Sequence, residues 1–144
     1  MATGLVLNRP VNVLSTYLRE RLHDRRFVTA RNPHGVSGAD TVFHYRVDGA
    51  VISAAYAGGR VVAGHVIARA TGSDTIETLY HSLTADGDLL SGWSKGRVGV
   101  DEAGRTTLAF EWGWLSGAEG GGESCYVESL PLGDPGPGTA APAI

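Results

Sequence analysis

The sequence predicts an all-β fold, an eight-stranded antiparallel up-and-down β-barrel with an N-terminal helix. From residue 27 onward, eight runs with strand-like alternation are separated by short turn signals, among them Asp48-Gly49, Gly58-Gly59 and Asp86-Gly87. Because every connection is short, neighbouring strands are expected to be antiparallel. A meander of this kind has two exposed edges, and pairing the first strand with the eighth removes both of them.

Three segments divide the chain. Residues 1–26 are expected to form an amphipathic helix, residues 27–130 the barrel domain, and residues 131–144, rich in Pro, Gly and Ala, a disordered tail. With 144 residues and 42% hydrophobic side chains, the chain is long enough to bury one core.

The composition argues against several classes of protein. A net charge of −3 disfavours nucleic-acid binding, and no apolar run is long enough to span a membrane or resembles a signal peptide, so a cytoplasmic location is expected. Cys125 is the only cysteine, which excludes a disulfide within the chain. His34, His44 and His81 lack the spacing of metal ligands, so no metal site is expected. Lys95 is the only lysine among many arginines, a bias typical of a GC-rich, actinobacterial genome.

Residues 41–70 define the predicted interior most directly. If both glycine turns of this stretch are two-residue loops, Tyr45, Ile52 and His65 lie in one row across three strands. The outer face of the same strands carries a small apolar patch that could bury itself in a homodimer. The predicted interior also contains Phe43, Val47, Ala50, Ala54, Tyr56, Val61, Ala63 and Ile67, and the outer patch consists of Val42, Val51, Val62 and Val66.

The later strands add bulky aromatic side chains to the interior. A two-residue turn at Asp86-Gly87 places Tyr80 opposite Trp93. In the seventh strand, alternation places Trp112 inside and Glu111 outside. Such a calycin-like barrel is wide enough either to be filled by side chains or to hold one small apolar ligand, and both alternatives stay open. The predicted substrate-binding residues are Phe43, Ile52, Tyr56, Tyr80, Trp93, Phe110, Trp112 and Trp114.

The N-terminal segment carries an apolar stripe at helical spacing. Val11, Leu14, Leu18 and Leu22 recur every three or four residues, and charged side chains occupy the other side. Two interpretations remain open for this helix. It either plugs one end of the barrel or packs on its wall, or it forms a mobile lid over a ligand cavity.

Spaced glycines and aromatic residues occur throughout the barrel segment, in runs such as Thr41-x-Phe43-His44-Tyr45, Tyr56-x-Gly58-Gly59 and Trp112-x-Trp114-x-Ser116-Gly117. Over roughly residues 27–130, the sequence resembles a family of small bacterial proteins that often carry the label N-acetylglutamate synthase. The acetyl transfer in that label needs backbone amides at a helix start, whereas Gly58-Gly59 lies in a predicted hairpin turn. The resemblance therefore implies a barrel-like fold and a set of shared residues rather than a reaction.

Candidate catalytic groups are the polar side chains on the predicted interior face. His65 can donate or accept a proton near neutral pH, and Tyr45 can donate a hydrogen bond to a substrate oxygen. The alternative is that both are core residues whose polar atoms form hydrogen bonds within the protein. Glu111 and Glu128 either act as bases or are outward, solubilising charges. His65 and Tyr45 are therefore the predicted catalytic pair.

Two classes of function remain open. The first is a cyclase or isomerase that needs no cofactor and folds an apolar, polyketide-type substrate of specialised metabolism into a reactive shape, as in a Diels–Alder ring closure. The second is a non-catalytic intracellular carrier of an apolar ligand, similar to a lipocalin. A cavity lined by apolar side chains with few polar groups suits both.

Overall fold

The computed structural model describes residues 13–129 and confirms the predicted barrel. Each strand pairs antiparallel with the next, and the first strand pairs with the eighth, so that the sheet closes on itself. The segment predicted as a tail, residues 131–144, lies outside the described residues, as does Val11. The elements are α1 (Thr16–Leu22), β1 (Arg25–Arg31), β2 (Val42–Asp48), β3 (Val51–Gly58), β4 (Val61–Ala70), β5 (Thr75–Thr84), β6 (Leu89–Val100), β7 (Thr106–Ser116) and β8 (Gly121–Glu128).

The contact between β1 and β8 closes the barrel. Phe27 lies opposite Glu128 in this pair, and Phe27 is fully buried. Arg25 donates two hydrogen bonds to the Glu128 carboxylate, at 2.9 and 2.8 Å, and the backbone N–H of Thr106 donates a third at 2.9 Å. One buried carboxylate therefore joins β1, β7 and β8. Glu128 is a structural group, and neither an outward charge nor a base in a cavity.

A β-bulge in β4 reverses part of the predicted interior. Val61 points inward as predicted, but the chain then inserts one extra residue, so that Val62 and Ala63 are both exposed. The alternation is inverted from that point on. His65, Ala63 and Ile67 consequently lie outside, and Gly64 and Val66 lie inside. The prediction that Val66 belongs to the outer patch is therefore wrong.

The loop between β5 and β6 causes a second reversal. Thr84 and Asp88 are hydrogen-bonded across a loop of three residues, 85–87, which replaces the predicted two-residue turn, and the Thr84 side chain accepts a second hydrogen bond from the backbone N–H of Asp88 at 3.1 Å. Tyr80 pairs with Gly92 instead of Trp93. Because a shift of one residue exchanges the two faces, Trp93 lies outside the barrel.

Helix α1 covers one end of the barrel. Its apolar residues Leu18 and Leu22, and Leu14 just before it, are buried in the same core as the inward side chains of the strands. Hydrogen bonds from Tyr17 to the Val98 carbonyl (2.9 Å) and from Arg19 to the Gly49 carbonyl (3.2 Å) fasten it to strand ends and turns. This packing agrees with the plug interpretation. Within the described residues, the helix is too short to cross a membrane.

We expect Leu18→Ala to lower the free energy of unfolding by about 2–5 kcal/mol, because this side chain is fully buried between α1 and the barrel. Glu20→Ala, on the exposed side of the same helix, is the matched control and should change it by less than about 0.5 kcal/mol. Urea unfolding followed by circular dichroism measures both variants. If Leu18→Ala changed the free energy of unfolding as little as Glu20→Ala does, α1 would be a separable lid.

Candidate functional site

A cavity lies inside the barrel at the end opposite α1. The loop of residues 32–41 covers it, and inward side chains of β2 to β8 form its wall. The cavity volume is about 60 Å³, counted as the space in which the centre of a water molecule fits. The residues that line it are Asn32, Gly35, Val36, Ser37, Phe43, Tyr45, Tyr56, Val61, Val66, Thr78, Tyr80, Ser82, Ser94, Leu108, Phe110, Trp112, Trp114, Ser124 and Tyr126.

Aromatic rings form a large part of the wall, with eight of the nineteen lining residues. Phe43 stacks on Tyr56 with ring centroids 4.5 Å apart, and Tyr126 meets Phe43 edge-on at 5.2 Å. On the other side, Trp112 and Trp114 form an edge-to-face pair at 5.1 Å. These contacts hold the rings in fixed orientations around the remaining space.

Glycines on neighbouring strands make room for three of the rings. A Cβ atom at any of these glycines would overlap the ring that lies beside it. The glycines therefore allow large side chains to lie flat against the wall, as aromatic residues do over strand glycines elsewhere. The three pairs are Tyr56 with Gly64, Tyr80 with Gly92, and Phe110 with Gly96.

A few polar groups interrupt the apolar wall. The hydroxyls of Thr78 and Ser94 form a buried hydrogen bond of 2.6 Å across β5 and β6. Near the covering loop, the Asn32 side-chain amide donates to the Ser37 hydroxyl at 3.0 Å. The Tyr56 hydroxyl donates to the carbonyl of His81 at 3.2 Å. These side chains provide fixed positions at which a bound molecule can be oriented.

Two buried polar atoms on cavity-lining residues have no hydrogen-bond partner in the protein. They are the Asn32 side-chain oxygen, an acceptor, and the Trp112 indole nitrogen, a donor. An unpaired buried polar group costs about 1–3 kcal/mol. Both residues belong to the cavity wall, one in the covering loop and one in β7.

Burial keeps the tyrosine hydroxyls of the cavity protonated. Removal from water raises the pKa of Tyr56 to about 12 and raises the pKa of Tyr45, Tyr80 and Tyr126 above the usual range of tyrosine. At neutral pH these hydroxyls are protonated, as tyrosines ordinarily are, and the raised pKa extends this neutral state to higher pH.

The structure brings most of the predicted site residues together. Tyr45, one of the predicted catalytic pair, is on the cavity wall, whereas Ile52 is fully buried in the core but does not line the cavity. The predicted binding residues that do line it are Phe43, Tyr56, Tyr80, Phe110, Trp112 and Trp114.

Two predicted site residues lie outside the barrel. His65 follows the β4 bulge and is exposed on the outer face, so the prediction that it meets Tyr45 inside is wrong. Trp93 lies on the outer face of β6 against Gly113, with the Lys95 ammonium 5.5 Å from its ring centroid. Its predicted place in the cavity is also wrong, because the β5–β6 loop has three residues, 85–87, instead of two and so shifts the register by one.

The sequence analysis missed the polar side chains of the wall. Thr78 and Ser82 share the inward face of Tyr80, and strand alternation alone could have identified them. Ser94 faces inward only because of the register shift in β6. Asn32 belongs to the loop that joins β1 and β2, for which no strand pattern applies.

A closed barrel with an internal, mainly apolar cavity is an architecture that can hold one small molecule. Residues 20–129 match the family described as Avidin-like protein, and this match covers more than half of the chain. The chain therefore belongs to the avidin-like protein family, which is consistent with small-molecule binding. No curated protein and no solved structure matches the chain.

Gly64→Ala tests how the cavity wall is built. A Cβ atom at this position overlaps the Tyr56 ring, so we expect the ring to be displaced and the free energy of unfolding to fall by about 1–3 kcal/mol. Gly38→Ala is the control, since nothing lies within 4 Å of its added Cβ atom. Urea unfolding and near-ultraviolet circular dichroism measure the two effects. An unperturbed aromatic spectrum in Gly64→Ala would contradict the packing.

The raised pKa of Tyr56 predicts a loss of stability in alkali. Between the usual tyrosine pKa of about 10 and the value of about 12 in the folded protein, the unfolded chain releases a proton that the folded protein keeps. The stabilisation is complete below about pH 10 and is lost as the pH rises to about 12. Tyr56→Phe should make unfolding less dependent on pH in this window, as measured by urea unfolding at stepped pH. If the free energy of unfolding of Tyr56→Phe depended on pH as strongly as that of the wild type, the raised pKa would be contradicted.

Proposed function

We propose that this protein binds a small, mainly apolar ring compound that carries one amide-like group. The unpaired acceptor on Asn32 and the unpaired donor on Trp112, both on residues of an aromatic cavity, carry this proposal. A lactam or a cyclic urea offers the complementary N–H and C=O groups on one small ring. A guest that pairs with both atoms removes two desolvation penalties at once.

The size of the cavity supports a small guest. At roughly 10–15 Å³ per water molecule in this measure, 60 Å³ corresponds to about four to six water molecules. That volume suits one small ring. A longer substituent would have to leave through the covering loop, in which Pro33 and His34 are exposed.

The chemistry of the wall favours binding over acid–base catalysis. None of the described residues that line the cavity is an acid, a histidine, a lysine, an arginine or a cysteine. The tyrosines keep their protons, so the wall has donors and neutral acceptors without a general base. A carrier function of the lipocalin kind is therefore the better supported of the two classes.

A cofactor-independent cyclase or isomerase acting on an apolar, polyketide-type substrate is the second candidate. The observation in its favour is the set of protonated tyrosine hydroxyls around an apolar space, since such donors stabilise a developing oxyanion. Tyr45 keeps a place in this alternative because it lines the cavity. His65 has no part in it, because its side chain is on the outer face.

Calorimetric titration tests the proposal with three probes of equal ring size: a cyclic amide, a cyclic ketone and a cycloalkane. We expect the amide to bind most tightly, and Trp112→Phe to weaken its binding about 5- to 30-fold, because one hydrogen bond to the guest is lost. Trp93→Phe is the matched control, since Trp93 lies outside the barrel and should leave affinity unchanged. Biotin, which the eight-stranded barrel streptavidin binds, belongs in the same panel.

Equal affinity for the amide and the ketone would contradict the amide-recognition part of the proposal. Binding that is equally weakened by Trp93→Phe would contradict the interior site. Chromatography of the recovered guests separates the two classes of function: unchanged guests indicate a binding protein, and an isomer of equal mass with a new retention time indicates a cyclase or isomerase.

A further inference from the structure

A pair of histidines lies on the outer wall of the barrel. The bulge in β4 places His65 directly opposite His81 of β5, and their ring centroids are 5.6 Å apart. Both side chains are exposed. Two imidazoles that bind one tetrahedral ion through Zn–N bonds of about 2.0 Å have ring centres roughly 5 Å apart. The pair is therefore close to the geometry of two ligands of one metal ion.

One chain does not complete such a site. The described residues contain no group of three or more histidine, cysteine or carboxylate side chains that could hold a metal ion. A closed zinc site needs four protein ligands. Two copies of the histidine pair, related by a two-fold axis, supply four imidazoles. We propose that His65 and His81 of two copies of this chain bind one divalent transition-metal ion, of the zinc type, that joins the outer walls into a dimer.

Apolar pairs lie on both sides of the histidine pair along the strands, and Ala55 and Ser91 flank it on the neighbouring strands. Ile67 and Leu79 form the neighbouring pair on one side, and Leu83 lies on the other side opposite Leu89. Ile67, Leu79 and Leu89 expose 58%, 55% and 75% of their surface. A contiguous apolar patch of this kind on a soluble barrel marks a contact surface.

Charged side chains form a rim along one edge of this patch. Arg69, Glu77, Lys95 and Glu111 pair in sequence across β4 to β7, and the Arg69–Glu77 ion pair measures 2.8 Å. Positive and negative side chains alternate along the row. A second copy of the chain therefore does not face a surface of uniform charge. An apolar centre with a polar rim is the usual anatomy of a protein interface.

The area of the patch explains why the dimer needs a metal ion. With its charged rim included, the surface covers four strands, β4 to β7, at about 4.8 Å spacing and eight residues at about 3.3 Å, which gives about 500 Å² per copy. The total of about 1,000 Å² is at the lower limit for a stable interface. Facing sheets also pack about 10 Å apart, which leaves room for an imidazole from each side and one ion between them. Metal coordination adds the stabilisation that the apolar contact lacks.

Analytical ultracentrifugation with zinc ions alone tests this inference on the full chain. We expect a monomer in the presence of EDTA and a dimer with one zinc ion per two chains. His65→Ala and His81→Ala should each weaken zinc binding more than about tenfold and abolish the dimer. His34→Ala is the matched control, because it removes an exposed histidine elsewhere and should behave as the wild type. Leu79→Lys should prevent dimerisation with both histidines in place, because it puts a charge in the apolar patch.

Several outcomes would overturn the inference. These are a dimer that persists in EDTA, a monomer that binds one zinc ion per chain, zinc binding that survives in His65→Ala, and wild-type dimerisation of Leu79→Lys. The readouts do not involve the cavity or its guest, so they are independent of the proposed function. Circular dichroism of each variant confirms that the barrel is folded.

Discussion

The pairing of β1 with β8 is the constraint on which the rest of the structure depends. Closure of this single sheet into a barrel creates its interior. The closing contact is stabilised by the Glu128 carboxylate, which accepts hydrogen bonds from Arg25 of β1 and from the Thr106 N–H of β7. Breaking a buried ion pair of this kind leaves an uncompensated charge, which costs more than the net stabilisation by the intact pair. The cavity at one end of the barrel and the packing of α1 at the other end both depend on this closure.

Within the closed barrel, side-chain size decides how much space remains. Leu18 and Leu22 of α1, with Leu14 just before the helix, fill the end that the helix covers. At the other end, glycines such as Gly64 and Gly92 let Tyr56 and Tyr80 lie flat against the wall instead of crossing the interior. The sequence analysis left a filled and a hollow barrel open, and the structure lies between them, with a mainly filled interior and one small cavity.

The strand number, the closure and the inward face of β7 could be predicted because they follow from turn signals and strict alternation. The register of β4 and β6 could not, because a turn signal shows neither a β-bulge inside the following strand, as in β4, nor the number of residues in the loop, as before β6. The extra residue at Val62 and the three-residue loop 85–87 each shift the register by one. Such a shift exchanges the two faces, which is why His65 and Trp93 were placed inside.

The same bulge links the two sites that we propose. By inverting β4, it brings Gly64 to the inside, where Tyr56 needs the space of a missing side chain, and it brings His65 to the outside, opposite His81. Without the extra residue at Val62, strand alternation would turn His65 to the inner face and Gly64 to the outer face, and the outer pair would not exist. One inserted residue therefore determines both the neutral character of the cavity and the presence of two adjacent imidazoles on the wall.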